Sequence, residues 1–260
     1  MKTIAIAVAA IATLIATRAS AADLESPVYK PPPVAPVPTY SWTGFYVGLD
    51  GGGAWAANQS VSDVACSTCN TFPASGSLKG SGIIGGIYAG YNFIVAPTWL
   101  VGIEGDWSWT RLNDTTTAPQ VNGGGVLAPP QINSWSRDVK WLASLRGRVG
   151  VTPTPTTLLY VTGGAAWSRT DYSAQDIFVG GCPNCALTAF GQTNSGYVVG
   201  GGGEWAPWSN KWILRAEYVY YHFNGSSSTV GIINGPTLPI AFSWGDLSVH
   251  EVRGGVAYKF

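Results

Sequence analysis

The sequence predicts an all-β protein, an eight-stranded antiparallel transmembrane β-barrel with a Pro-rich N-terminal periplasmic tail. Three observations lead there. Charged residues make up 11% of the chain, against about 25% in an ordinary soluble domain, while Trp and Tyr number 12 each. Beyond the N-terminal stretch no apolar run reaches the ~18 residues that a transmembrane helix needs. From Trp42 onward, polar and apolar residues alternate, the period of a strand whose two faces meet different surroundings. Without a helix, a closed barrel is the remaining way to satisfy the backbone in lipid.

The chain opens MKTIAIAVAAIATLIATRASA. Lys2, the apolar run Ile4 to Ala16 and the small-residue site Ala19-Ser20-Ala21 read as a secretory signal peptide over residues 1–21, cut before Ala22. Residues 22–41 include PVYKPPPVAPVPTY, too rich in Pro for a helix or a central strand. Such a stretch favours extended polyproline II and reads as a semi-rigid periplasmic tail. Residues 42–260 read as the outer-membrane barrel.

Eight alternating stretches fill it, at 42–57, 80–95, 98–111, 135–151, 157–170, 195–206, 211–224 and 246–260. Three connections are short: Ala96 to Thr98, Thr152 to Thr156 and Pro207 to Asn210. The others, 58–79, 112–134, 171–194 and 225–245, are long and rich in Ser, Thr, Asn, Gly and Pro, so they read as surface loops. Short turns at one end and long loops at the other mark a bacterial outer-membrane barrel, with both chain ends in the periplasm.

Charge fixes the register. Glu104 and Asp106 oppose Trp99, Val101, Ile103, Trp107 and Trp109. Lys140, Arg146 and Arg148 oppose Val139, Trp141, Leu145 and Val149; Glu204 opposes Tyr197, Val199 and Trp205. Arg215 and Glu217 oppose Trp212, Leu214, Tyr218 and Tyr220, while Glu251 and Arg253 oppose Val252, Val256, Tyr258 and Phe260. A slip of one residue would put an Arg or Lys into lipid, at ~2–4 kcal/mol near the midplane. The charged face is therefore the lumen, joined by Asp50 from the first strand. Acids and bases nearly balance, and eight strands leave an interior just wide enough for side chains. An ionic lattice there acts as a plug; a water-filled or gated pore would reuse the same residues.

Aromatics near strand ends fit two interfacial girdles, Trp42, Phe45, Trp99, Trp212, Tyr258 and Phe260 low, and Trp55, Trp109, Trp135, Trp167 and Trp244 high. Gly85, Gly86, Gly163, Gly164 and Gly200 to Gly203 read as bends or as room for large lumen neighbours. No phosphate loop is formed, and a net charge of zero excludes a nucleic-acid footprint. No cofactor or metal is expected. Cys66-x-x-Cys69 and Cys182-Pro-Asn-Cys185 fall in the first and third long loops. Export favours disulfides over a metal site of four cysteines. Four cysteines allow three pairings; pairing within each loop is favoured, because those loops rise on opposite sides of the mouth.

The chain resembles the porin-like outer-membrane β-barrel surface antigens of alphaproteobacteria, small barrels of opacity type. The residues carrying the resemblance are the signal peptide ending before Ala22-Asp23, the Pro-rich tail, Trp42-Thr43-Gly44-Phe45-Tyr46-Val47-Gly48, Tyr88-Ala89-Gly90-Tyr91-Asn92, Leu159-Tyr160-Val161-Thr162-Gly163-Gly164 and Val256-Ala257-Tyr258-Lys259-Phe260. The resemblance implies that Tyr258 and Phe260 present the signal read by the barrel-assembly machinery. It also implies a candidate covalent attachment of Ala22 to peptidoglycan, since some relatives join a mature Ala-Asp N-terminus to the wall. The expected function is that of a non-enzymatic outer-membrane protein among lipid and lipopolysaccharide, supporting envelope integrity and presenting surface loops. A narrow porin for small solutes is the second reading. A third is a lipid A hydrolase: His222 and His250, the two histidines, share outward parity with Asp246 and Ser248, and Ser-x-His at an outer rim resembles barrel enzymes that deacylate lipopolysaccharide.

Overall fold

A computed structural model of the chain describes residues 40–64, 74–120, 131–178, 182–207, 211–231 and 239–260. Its strands are β1 (Gly44–Val64), β2 (Ser75–Ala96), β3 (Trp99–Gln120), β4 (Gln131–Thr154), β5 (Thr157–Phe178), β6 (Cys182–Trp205), β7 (Trp212–Phe223), β8 (Ser226–Gly231), β9 (Pro239–Trp244) and β10 (Leu247–Lys259). They form one antiparallel sheet in the order β10-β7-β6-β5-β4-β3-β2-β1-β9-β8, and β10 pairs back onto β1. The closing ladder runs from Tyr46 opposite Lys259 to Ala56 opposite Val249. At membrane level this is a ring of eight strands, because β8 and β9 lie above it.

The predicted alternation holds through the ring. Val252 is 53% exposed and its neighbour Arg253 2%; Ile103 is 52% exposed and Glu104 2%. The exposed side carries Leu49, Ile83, Ile87, Leu145, Val161, Val199 and Val256, the apolar wall that lipid requires. Glycines admit rings on the inside. A Cβ at Gly48 would sit 2.3 Å from the Tyr88 ring, and one at Gly90 would sit 2.4 Å from the Tyr46 hydroxyl. In the ladder these are cross-strand partners, Gly48 with Tyr88 and Gly90 with Tyr46, so each ring lies over the glycine opposite.

The long connections are largely strand. β1 to β6 run 21 to 24 residues each, well past the expected ends. The expected loop 225–245 contains β8 and β9, which pair with each other, and β9 also pairs with β1 from Val61 opposite Trp244. Composition misled here because Ser and Thr suit a pleated strand as well as a loop. What holds these extensions is an inward aromatic core that composition cannot show. Val61, Leu78, Trp135, Tyr172, Phe242 and Trp244 pack together, with Phe190 against them. Trp135 and Trp244 are thus fully buried inside, correcting their assignment to an outer girdle, whereas Trp55, Trp109 and Trp167 are exposed as expected. Trp42 is also buried rather than lipid-facing. It joins Tyr40, Tyr46, Tyr88, Leu100, Leu158 and Tyr160 in an apolar layer low in the ring, and its indole donates to the Pro155 carbonyl at 3.0 Å.

Three bulges separate the two storeys, between Ala56 and Gln59, Trp109 and Leu112, and Val139 and Trp141. An extra residue shifts which parity faces inward. Below the bulge in β4 the inward positions are Leu142, Ser144, Arg146 and Arg148; above it they are Asn133, Trp135, Arg137 and Val139.

Candidate functional site

The lumen at membrane level is built from strands all round the ring. β3 supplies Glu104 and Asp106, β4 Arg146 and Arg148, β6 Glu204, β7 Arg215 and Glu217, and β10 Glu251 and Arg253. Asp50 enters from β1. Glu104 is the hub. Arg215 grips it with two nitrogens at 2.8 and 2.9 Å, Arg146 reaches it at 2.6 Å and Arg148 at 3.1 Å. The Tyr46 hydroxyl donates to it at 2.8 Å. Glu217 is a second hub, held by Arg253 at 2.8 and 2.9 Å, by Arg146 at 3.1 Å, by the Tyr160 hydroxyl at 3.1 Å and by Arg215. Arg148 also bridges to Glu204 at 2.7 Å. Asp106 accepts from Ser144 and meets Arg146 at 3.1 Å.

Many of the bonds between these groups cross the interior, joining strands that are not neighbours in the sheet. Arg146, Arg148 and Arg215 therefore tie together strands that are apart in the sheet, whereas the close contact of Arg253 is to Glu217 beside it in the β7–β10 ladder. Above and below, apolar layers exclude solvent from the lattice. Above lie Ala54, Ile84, Leu112, Val139, Leu142, Val198, Val219 and Tyr221. Buried charges are tolerable only when paired and hydrogen-bonded, which this arrangement achieves for every member except Asp50 and Glu251, whose carboxylates have no hydrogen-bond partner.

Ten of the eleven charges assigned to the lumen by parity lie in it; Lys140 does not. It occupies the bulge of β4, is 48% exposed at its side chain, and bonds Asp138 at 2.5 Å and Asp171 at 3.7 Å on the outer surface. The extra residue breaks the two-residue period there, so parity counted from Arg146 fails. Without Lys140 the assigned set comprises six carboxylates (Asp50, Glu104, Asp106, Glu204, Glu217 and Glu251) and four guanidinia, so its expected balance becomes an excess of two acids, with Lys259 a further buried cation low in the ring. Asp50 and Glu251 are the loosely held pair, meeting Arg253 only at 3.4 and 3.7 Å.

Sequence reasoning missed the aromatic members. Tyr46, Tyr88, Tyr160 and Tyr221 all turn inward, and Arg148 lies 3.9 Å over the Tyr160 ring and Arg215 4.3 Å over that of Tyr88. Tyr46 shares its parity with Asp50, and Tyr221 with Arg215 and Glu217, which was the available signal; β2 and β5 carry no lumen charge that would have marked Tyr88 and Tyr160.

On the outer wall, Ser248 and His250 sit two residues apart on β10 but do not pair with each other. The His250 ring stacks on Trp55 and its Nδ1 meets the Tyr218 hydroxyl at 2.7 Å. The partner of Ser248 is His222 on β7, whose Nδ1 is 3.1 Å from the serine Oγ. Among the described residues no cluster of His, Cys, Asp or Glu could hold a metal ion. Cys66, Cys69 and Ala22 lie outside the described residues, as do the side chains of Cys182 and Cys185. Tyr258 and Phe260 lie at the rim that carries the short turns, where Phe260 is exposed and packs on Phe45 and Tyr258.

Known proteins resemble this chain. A family model described as the outer membrane protein beta-barrel domain matches residues 7–260. The 31 kDa outer-membrane immunogenic protein of Brucella melitensis is 30% identical over 254 residues, covering 97% of this chain and 98% of that protein. A 25 kDa outer-membrane immunogenic protein of Brucella canis is 25% identical over 260 residues, covering 100% and 99%. Among solved structures, the outer membrane protein OprG of Pseudomonas aeruginosa has a TM-score of 0.47 and 14% identity, covering 84% of this chain and 96% of that one.

Proposed function

The chain belongs to the outer membrane protein beta-barrel domain family and is an outer-membrane protein; from that premise we propose a closed structural barrel that stiffens the envelope and displays extracellular loops. The observation that carries this reading is the lattice around Glu104 and Glu217, whose cross-lumen bonds fill the bore at membrane level. A solute path would need these groups wet and separable, whereas their side chains are buried and capped by apolar layers on both sides. The reading requires no reaction in the lumen. The test is planar-bilayer conductance of the refolded mature chain. Silence is the expected result, and stable unitary steps would replace the plug with a narrow porin.

The tail extends this role to the cell wall. We propose that Ala22 is the point of attachment to peptidoglycan. At ~3.1 Å per residue in polyproline II, about twenty residues reach roughly 60 Å. Support comes from the root of the tail, where Tyr40 packs edge-on to Trp42 and both are buried low in the ring. Tension on the tail would thus load the barrel rather than a free linker. Sacculi boiled in SDS and digested with trypsin and muramidase should release an Ala22–Lys30 peptide carrying a muropeptide mass. Recovery of only the free peptide would remove the tether and leave the barrel.

A further inference from the structure

Ser248, His222 and Asp246 lie in line on the lipid-facing side of the barrel, where β7 and β10 run together. Ser248 and His222 are direct partners in the β7–β10 ladder. His222 Nδ1 lies 3.1 Å from Ser248 Oγ, and the opposite ring nitrogen, Nε2, lies 3.8 Å from Asp246 Oδ2. The other Asp246 oxygen accepts from the Gly225 amide at 2.9 Å, which fixes the carboxylate where the chain breaks between β7 and β8. The Tyr197 ring lies 5.1 Å from that of His222, and the Tyr220 hydroxyl is 3.0 Å from Ser248 Oγ. The order of roles along this line is the one that activates a serine: a base on the hydroxyl and an acid on the far side of the base.

Position supplies the substrate class. Twelve residues separate Ser248 from Phe260 at the periplasmic rim. At ~3.3 Å per residue and a tilt of ~40° this is roughly 30 Å, against an apolar band about 25 Å tall. Ser248 therefore stands at the outer boundary of the hydrocarbon, the depth at which the acyl esters of outer-leaflet lipids lie. Below it the wall offers Val252, Val256 and Tyr218 to an acyl chain.

We propose that this cluster is an esterase site for an ester-linked acyl chain of an outer-leaflet lipid, an activity beyond the structural role above. Ser248 Oγ attacks the ester carbonyl carbon as its proton passes to His222 Nδ1. Asp246, 3.8 Å from Nε2, is a positioning residue that steadies the imidazolium by its charge. The Tyr220 hydroxyl donates to the carbonyl oxygen as it becomes an oxyanion. The bond from carbonyl carbon to lipid oxygen breaks, and that oxygen takes the proton from His222. Water then attacks the acyl-serine, gives a proton to His222 and releases the fatty acid, after which the proton returns to Ser248 Oγ. An ester and water give an alcohol and a carboxylic acid, with no oxidant or metal required.

The experiment uses the refolded mature chain in mixed micelles with purified lipopolysaccharide and, separately, in vesicles of phosphatidylethanolamine, with released fatty acid read by mass spectrometry. A fluorophosphonate probe reports the nucleophile. Release from either lipid, with the probe on the Ser248 peptide, is expected, and the lipid that reacts identifies the substrate. Ser248→Ala and His222→Asn should each lose about 100-fold or more. Asp246→Asn should lower kcat about tenfold with KM unchanged. His250→Ala, outside this line, should keep activity within about threefold. Heat-modified mobility on SDS gels confirms that each variant folds. No release from either lipid and no labelling of folded wild type would overturn the proposal, as would undiminished release from folded Ser248→Ala.

Discussion

Two storeys of one barrel solve burial differently. At membrane level the interior is held by charge: each of its four arginines touches at least one carboxylate, and Glu104 alone receives three of them. Above the bulges the interior is an aromatic core around Trp135, Tyr172, Phe242 and Trp244, with Arg137 bonded at 2.9 Å to the neutral Gln59 amide. The difference follows from what lies outside the wall. Where lipid surrounds the barrel, apolar side chains gain little by turning inward, and cross-lumen ion pairs supply the tie between opposite strands. Where water surrounds it, turning aromatics inward recovers the hydrophobic effect, as in a soluble protein.

Substitutions sharpen this contrast. Arg253→Met should have the largest effect, about 3–5 kcal/mol, because it strands Asp50 and Glu251 in a buried site and takes one of several cations from Glu217 and Asp106. The measurement is urea unfolding in detergent micelles. A double-mutant cycle should then show coupling of about 1–3 kcal/mol between Arg253 and Glu217 and under about 0.5 kcal/mol between Arg253 and Glu251. The contact at 2.8 Å, not the sequence neighbour at 3.7 Å, is the working partner. Equal couplings would indicate a wet lumen and break the comparison.

Trp135→Ala should come next, costing about 3 kcal/mol but only above the bulges. Hydrogen exchange should rise in the upper parts of β3, β4 and β5 while the heat-modified gel shift persists. Global unfolding with this variant would mean that the storeys fold as one. Arg137→Met should cost about 1–3 kcal/mol in urea unfolding, because among the described residues no carboxylate lies within ion-pair distance to be left unpaired, and the loss is that of the donor to the buried Gln59 oxygen. Lys140→Ala should change stability by less than about 0.5 kcal/mol, as expected for an exposed pair, so a loss comparable to that of Arg253→Met would return Lys140 to the lattice.

What the sequence settles about this protein is the wall. A strand has a period of two, so one charged face and one apolar face can be read from residues such as Glu251, Val252 and Arg253 without knowing their neighbours. The number of ring strands and the inward assignment of ten charges follow from that alone. Only the tertiary structure decided the partners. Arg215 finds Glu104 from β3, 111 residues away in the chain, and Ser248 finds His222 on β7 rather than His250 two residues on. The bulge at Lys140 and the inward turn of Trp135 and Trp244 belong to the same class. They depend on which strands pair and where a ladder slips by one residue, and neither quantity is carried by local periodicity.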